Sequence, residues 1–196
     1  MRNELPRQLI HLSGLLFIIL AQFIQKEITI VYFFVLALFF LIYSEYVKRE
    51  EKKLTNILNR MEHRFRDLTL KFERKEQLRH PFKGAFWFYL SCALTLVIFP
   101  FPIASAACSM LAVGDSLSTL FGLKFGRHEI RKNKTFEGSL ACLIGSFAVG
   151  LLFVSPALSL AGAIAAAIAE LSRKVNDNLT IPLASGFVMF LVYLLL

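Results

Sequence analysis

One carboxylate, Asp115, stands inside an otherwise apolar run, between Gly114 and Ser116, with Ser118 and Thr119 just beyond. An acid in lipid costs at least about 2.5 kcal/mol and usually faces a cavity or does chemistry. Gly122 and Gly126 follow on the same helical face, and residues that small let a second helix or a ligand come close. The run gives way to Lys124-Phe-Gly126-Arg127-His128-Glu129-Ile-Arg131-Lys132-Asn133-Lys134-Thr135, and Glu137 and Gly138 open the next apolar stretch. Five cations beside glycines suit a polyphosphate: backbone N–H groups approach it closely and the cations neutralise its charge. Mg²⁺ needs only a carboxylate or two beside phosphate oxygens and water, and Asp115 with Glu137 could supply them.

Other polar groups stand at the ends of apolar runs. Arg7 and His11 are four apart and share a helical face. Glu45 and Glu170 each end a run, and Asp177 with Asn178 precedes the last one. Glu45 at its run end reads as a solvated acid, and Ser118 and Thr119 are able to bond back to their own helix. No P-loop, protein-kinase catalytic loop, nucleophile elbow or H-E-x-x-H pattern occurs. The residues alone therefore describe a membrane site of acids and bases suited to Mg²⁺ and a phosphorylated ligand.

The elements that must carry these groups are apolar helices. The chain has 196 residues, 56% hydrophobic and 18% charged, with a mean hydropathy of +0.60. Globular chains run at roughly 45–50% apolar and 25% charged, so disorder, a collagen repeat and a disulfide scaffold are excluded. A single all-α polytopic domain over 1–196 is expected. Its seven apolar runs are Leu9–Ile24, Ile28–Val47, Ala85–Phe99, Ile103–Leu123, Phe136–Val154, Ala157–Leu171 and Leu179–Leu196. The net charge of +8 is distributed unevenly: with the N-terminus inside and the chain alternating sides, 21 of the 22 Lys and Arg fall on the inner side and only Lys26 falls outside. That is the positive-inside pattern, and it predicts an external C-terminus. A cleaved signal peptide is the competing reading of the first run, but no A-x-A-like site follows it. Cys92, Cys108 and Cys142 all lie within runs, as small packing residues and not a disulfide framework.

Residues 48–83 form a basic inner segment. Leu54, Ile57, Leu58, Met61, Phe65, Leu68 and Phe72 are spaced as one helical stripe opposite Lys and Arg. Such a helix lies on an anionic membrane surface, as a connector or as a lid. Membrane lipid accounts for its charge without nucleic acid.

The pattern Gly114-Asp115, Ser118, Gly122, Gly126, then Lys134-Thr135-Phe136-Glu137-Gly138, resembles the signature of the dolichol kinase/phytol kinase family. Arg7, His11 and Gly14 resemble its N-terminal R-x-x-x-H-x-x-G element. Asn176-Asp177-Asn178-Leu179-Thr180-Ile181-Pro182 is similar to its D-D-N-L-T-[IV]-P element, with Asn176 in place of the first acid. The resemblance implies an integral membrane kinase of lipid alcohols, among them polyprenols, phytol-like alcohols and diacylglycerol, with CTP or ATP as donor and Mg²⁺ as cofactor. It implies that Asp115 and Glu137 hold the metal or draw the hydroxyl proton. Lys132, Lys134, Thr135, Gly138, Gly122, Gly126, Asp177 and Asn178 would bind nucleotide, while Arg7, His11 and Ser118 would face the lipid head or phosphate. Phosphatidate cytidylyltransferases share the core of this signature, but their P-G-H-G-G and D-R-x-D ending is absent here. A non-catalytic transporter or scaffold with a cytoplasmic anion site fits the composition equally well.

Overall fold

The computed structural model describes residues 4–49, 83–131, 134–172 and 176–196. Most of the basic segment 48–83, together with Lys132, lies outside the described residues. Helices α1 (Glu4–Ala21) and α2 (Lys26–Arg49) come first, followed by α3 (Lys83–Ile98) and α4 (Phe101–Met110). A π-helical turn, Leu111–Asp115, joins α4 to α5 (Ser116–Phe125). Strands β1 (Glu129–Arg131) and β2 (Lys134–Thr135) precede α6 (Phe136–Gly150), α7 (Pro156–Glu170) and α8 (Asp177–Leu195).

The boundaries follow local chemistry. Pro100 and Pro102 open α4 and Pro156 opens α7, where a missing N–H breaks no helix bond. Thr135 caps α6 by accepting from the Gly138 N–H, and Asn176 caps α8 by accepting from the Asn178 N–H. The Asn176 departure thus stands at a helix N-cap, a place that asparagine and aspartate fill about equally well.

All seven expected runs contain helix among the described residues. Three stretches are long and apolar enough to cross a membrane: Lys26–Glu45, Phe101–Phe125 and Asp177–Leu195. Lys83–Ile98, Phe136–Gly150 and Pro156–Glu170 are shorter apolar helices. The fourth run is not one continuous α-helix, because the π-turn interrupts it just where Asp115 stands. The loop after it is not irregular either. Its backbone pairs into a small antiparallel ribbon, with the Phe136 N–H donating to the His128 carbonyl at 2.9 Å.

The rod α4–π–α5 is central, packing against α1, α3, α6, α7 and α8. Small residues make this possible: Ala104, Ala106, Ala107 and Ala112 are fully buried, as are Ala163 and Ala166 of α7. Cys92, Cys108 and Cys142 are buried free thiols inside this packing. Val31, Val35, Leu38, Phe39 and Ile42 of α2 are exposed instead, as on a helix face that meets lipid. Lys26, the cation that the charge pattern expects outside, donates to the Phe99 carbonyl at 3.0 Å, capping the turn after α3.

Candidate active site

The first turn of α5, the C-terminal end of α7 and the N-terminal ends of α6 and α8 meet toward one end of the bundle. There the sequence's polar groups gather around a residue that spacing did not single out. Glu170, the last residue of α7, is only 1% exposed. Its Oε1 accepts from Ser118 Oγ of α5 at 2.6 Å and from Lys134 Nζ of β2, also at 2.6 Å. Its Oε2 accepts from Ser139 Oγ of α6 at 3.2 Å. A carboxylate buried this deeply is tolerated because it has a cation and two hydroxyls to satisfy its lone pairs.

Lys134 extends the cluster. Its ammonium also donates to Asp177 Oδ2 of α8 at 3.0 Å. Burial draws the Lys134 pKa down, but the Asp177 and Glu170 carboxylates outweigh it and leave the group above the ordinary lysine value. The lysine therefore stays charged at any physiological pH. Next to Asp177, Asn178 ties α8 to α3 by donating from Nδ2 to the Gly84 carbonyl at 3.0 Å.

Asp115 is half-buried at the end of the π-turn. Its carboxylate has no hydrogen bond or ion pair among the described residues. It is near enough for its charge to act on Asp177 and on Cys142. π-turns occur often at functional sites, where they turn a side chain out of the regular helical register. A carboxylate with no partner among the described residues, whose charge reaches the Asp177 that Lys134 holds, is a reactive arrangement. It is able to accept a proton or to ligate a hard cation.

The remaining expected residues divide into two groups. Glu137 stands apart from the inner cluster in its contacts: its Oε1 is 2.7 Å from His128 Nδ1, and the His128 N–H donates to its Oε2. Gly122, Gly126, Thr135 and Gly138 serve close packing between α5 and α6. A side chain at Gly126 would collide with the Gly122 carbonyl and with Thr135, and a Cβ at Gly138 would lie 2.8 Å from the Ser118 carbonyl. Thr135 and the Gly138 N–H are paired with each other in the α6 cap. Arg7 and His11 lie on α1, and their side chains are outside the described residues.

The donor set suits Mg²⁺ in kind, since carboxylates are hard oxygen ligands. Among the described residues, however, no group of three or more His, Cys, Asp or Glu is placed to hold an ion. The Lys134 ammonium stands between Glu170 and Asp177. Any metal there would rest on one or two carboxylates, Asp115 among them because it has no partner among the described residues, and on oxygens of a bound phosphate.

The fold and cluster define a class: a helical membrane protein with a buried acid–lysine–acid site at one end of its bundle. Comparison with known proteins relates the chain to phytol and farnesol kinases. It is 36% identical to a phytol kinase of Synechocystis sp. over 98 residues, which is 43% of this chain and 42% of that protein. It is 28% identical to a chloroplastic farnesol kinase of Arabidopsis thaliana over 142 residues, 62% of this chain and 45% of that protein. An uncharacterised protein of Rickettsia prowazekii is 22% identical over 191 residues, 92% of this chain and 90% of that protein. The chain thus spans less than half the length of the phytol and farnesol kinases it matches. No family model matches the chain. No solved structure matches it.

Proposed function

We propose that this protein is a membrane kinase of isoprenoid alcohols, transferring the γ-phosphate of a nucleoside triphosphate to a lipid hydroxyl. The observation that carries the reading is the Asp115 carboxylate, without a partner among the described residues, whose charge reaches the Asp177 end of the Lys134–Glu170–Asp177 cluster, in a relative of phytol and farnesol kinases. Phosphoryl transfer asks a protein mainly for positioning and charge neutralisation. Lys134 supplies a permanent cation, and Glu170 fixes where it stands. The alcohol oxygen attacks the γ-phosphorus, the bond to the bridging β–γ oxygen breaks, and the nucleoside diphosphate leaves with that electron pair. Asp115 accepts the hydroxyl proton or orients that hydroxyl. Mg²⁺, when bound, would neutralise phosphate charge, with Asp115 its ligand from the inner cluster and Glu137 a second ligand on the ribbon side.

CTP as donor, in preference to ATP, and diacylglycerol as a further acceptor belong to the same proposal and rest on the motif resemblance. So do the seven crossings, the cytoplasmic N-terminus and site, and the external C-terminus, which rest on the distribution of Lys and Arg. The meeting point is physically sensible: a nucleotide arrives from water, an isoprenoid arrives from lipid, and the cluster lies at a bundle end where both can reach. The test supplies membranes with CTP or ATP labelled at the γ-phosphate, together with phytol, farnesol or diacylglycerol. Label in an extractable alkyl phosphate is the expected result. Label transferred only from the α-phosphate to phosphatidate would replace the reading with a cytidylyltransferase. Specific nucleotide binding with no transfer from either position would replace it with a non-catalytic protein.

A further inference from the structure

Gln8 lies in the first turns of α1, and its side chain is completely buried. Neither its Oε1 nor its Nε2 has a hydrogen-bond partner among the described residues. That is a costly state. A buried polar group without a partner keeps the whole cost of leaving water, and a primary amide has donors and an acceptor to satisfy together. Helices usually exclude such a residue from their packed face or provide it with a mate.

The location of Gln8 gives the orphaned amide a use. Helix α1 packs against both the π-turn and α5. The contact is close at Gln8 itself, whose backbone carbonyl accepts from Ser116 Oγ at 3.4 Å. Ser116 directly follows Asp115, the unpaired carboxylate. The orphaned amide therefore belongs to the seam between α1 and the central rod, where its contact Ser116 is one residue in the chain from the turn position that carries Asp115. A bare phosphate would use only the donors of the amide. An alcohol hydroxyl, which both donates and accepts, uses both halves of it.

We infer that Gln8 binds the hydroxyl of the acceptor alcohol, holding it in the seam between α1 and the π-turn beside Asp115. The inference rests on the alcohol-kinase reading for its ligand class, and it adds the group that recognises the hydroxyl. In the bound state Gln8 Oε1 accepts the hydroxyl hydrogen and Nε2 donates to the hydroxyl oxygen; in the transfer step that one proton leaves Oε1 for Asp115, and the Nε2 donor still holds the oxygen. An isoprenoid lacking a hydroxyl leaves the amide unsatisfied, and a site that must leave a polar group unpaired rejects such an analogue strongly.

The test uses the full chain in mixed micelles, with Gln8→Met as the variant of matching shape. Phytol, farnesol and farnesyl methyl ether serve as probes of binding, read by the shift in thermal unfolding, and phytol and farnesol as substrates. The wild type should be stabilised saturably by the two alcohols and much less by the ether. In Gln8→Met the alcohol KM should rise about tenfold or more, with the nucleotide KM within about twofold and the unliganded melting temperature unchanged or higher. That combination separates recognition from support, because a glutamine needed only for packing would lower the melting temperature and spare the alcohol KM. An unchanged alcohol KM and unchanged stabilisation by farnesol in Gln8→Met would overturn the inference while leaving the kinase reading intact. Alcohol-specific stabilisation that depends on Gln8, with no phosphate transferred, would uphold the alcohol site and sink the kinase reading. A wild type stabilised by neither alcohol would overturn the site.

Discussion

Lys134 Nζ lies 2.6 Å from Glu170 Oε1, joining the ribbon to the last residue of α7 across 36 positions of sequence. Glu170 is nearly inaccessible to water and Lys134 only partly accessible, at 1% and 19%. Coulomb attraction there is screened much less than at a surface; loss of Lys134 strands the buried Glu170 charge, while loss of Glu170 leaves Lys134 to Asp177.

Glu170→Ala should therefore destabilise the protein by about 2–4 kcal/mol, because it leaves two hydroxyls without their acceptor and the ammonium with Asp177 alone. Glu170→Gln preserves shape and one acceptor and should cost about 1–3 kcal/mol. Denaturation in detergent would rank the two. Equal stabilities of wild type and Glu170→Ala would show that the pair is not closed in solution.

Asp115 should behave in the opposite way. Its carboxylate has no partner among the described residues, so Asp115→Asn removes no ion pair and should leave thermal stability unchanged or raise it. Loss of a proton acceptor typically costs about 10²–10⁴-fold in turnover. Normal kinase activity in a folded Asp115→Asn protein would remove Asp115 from the chemistry.

These two acids show what was legible in the sequence and what was not. Asp115 was legible because a carboxylate in an apolar run is costly and therefore conspicuous. Glu170 has the same chemistry but ends its run, where an acid is less conspicuous and spacing assigns it no role. Only the packing of Ala-rich α7 against the rod reveals that it is buried. The π-turn left no trace, since no proline or insertion marks it. Thr135 and Gly138 looked like a phosphate cradle, yet threonine three residues before a glycine at the start of an apolar run also reads as a helix cap, and the cap is what forms. The helical runs themselves were legible to within a few residues, because hydrophobicity alone determines them.

Lys134 sets an alkaline limit on stability. Its folded pKa lies above the unfolded value of 10.5. Its contribution is then fully present below about pH 10.5 and is lost as the pH rises through the higher folded value. Melting temperature measured from pH 8 to pH 12 should fall more steeply at the top of that range in the wild type than in Lys134→Met. The same variant should lower kcat/KM for the nucleotide by about 10–100-fold, the worth of one charged hydrogen bond to phosphate. Parallel alkaline limbs would mean that Lys134 does not hold its two carboxylates.

Glu137 provides the sharpest contrast with the inner cluster. Its partner His128 has a side chain that is 78% exposed, and Glu137 itself is 24% exposed. A pair this open to solvent adds little to stability, and the imidazole adds charge only when protonated. Glu137→Gln should thus be nearly silent in a stability assay. If Glu137 is a metal ligand during turnover, the variant should need more Mg²⁺ for half-maximal activity while keeping its alcohol KM. If its role is confined to orienting the ribbon through His128, then His128→Ala should reproduce the Glu137→Gln phenotype and the Mg²⁺ requirement should not move. The double variant decides between the two, because a ligand role predicts that the Mg²⁺ shift survives in the His128→Ala background and a purely orienting role predicts that it does not.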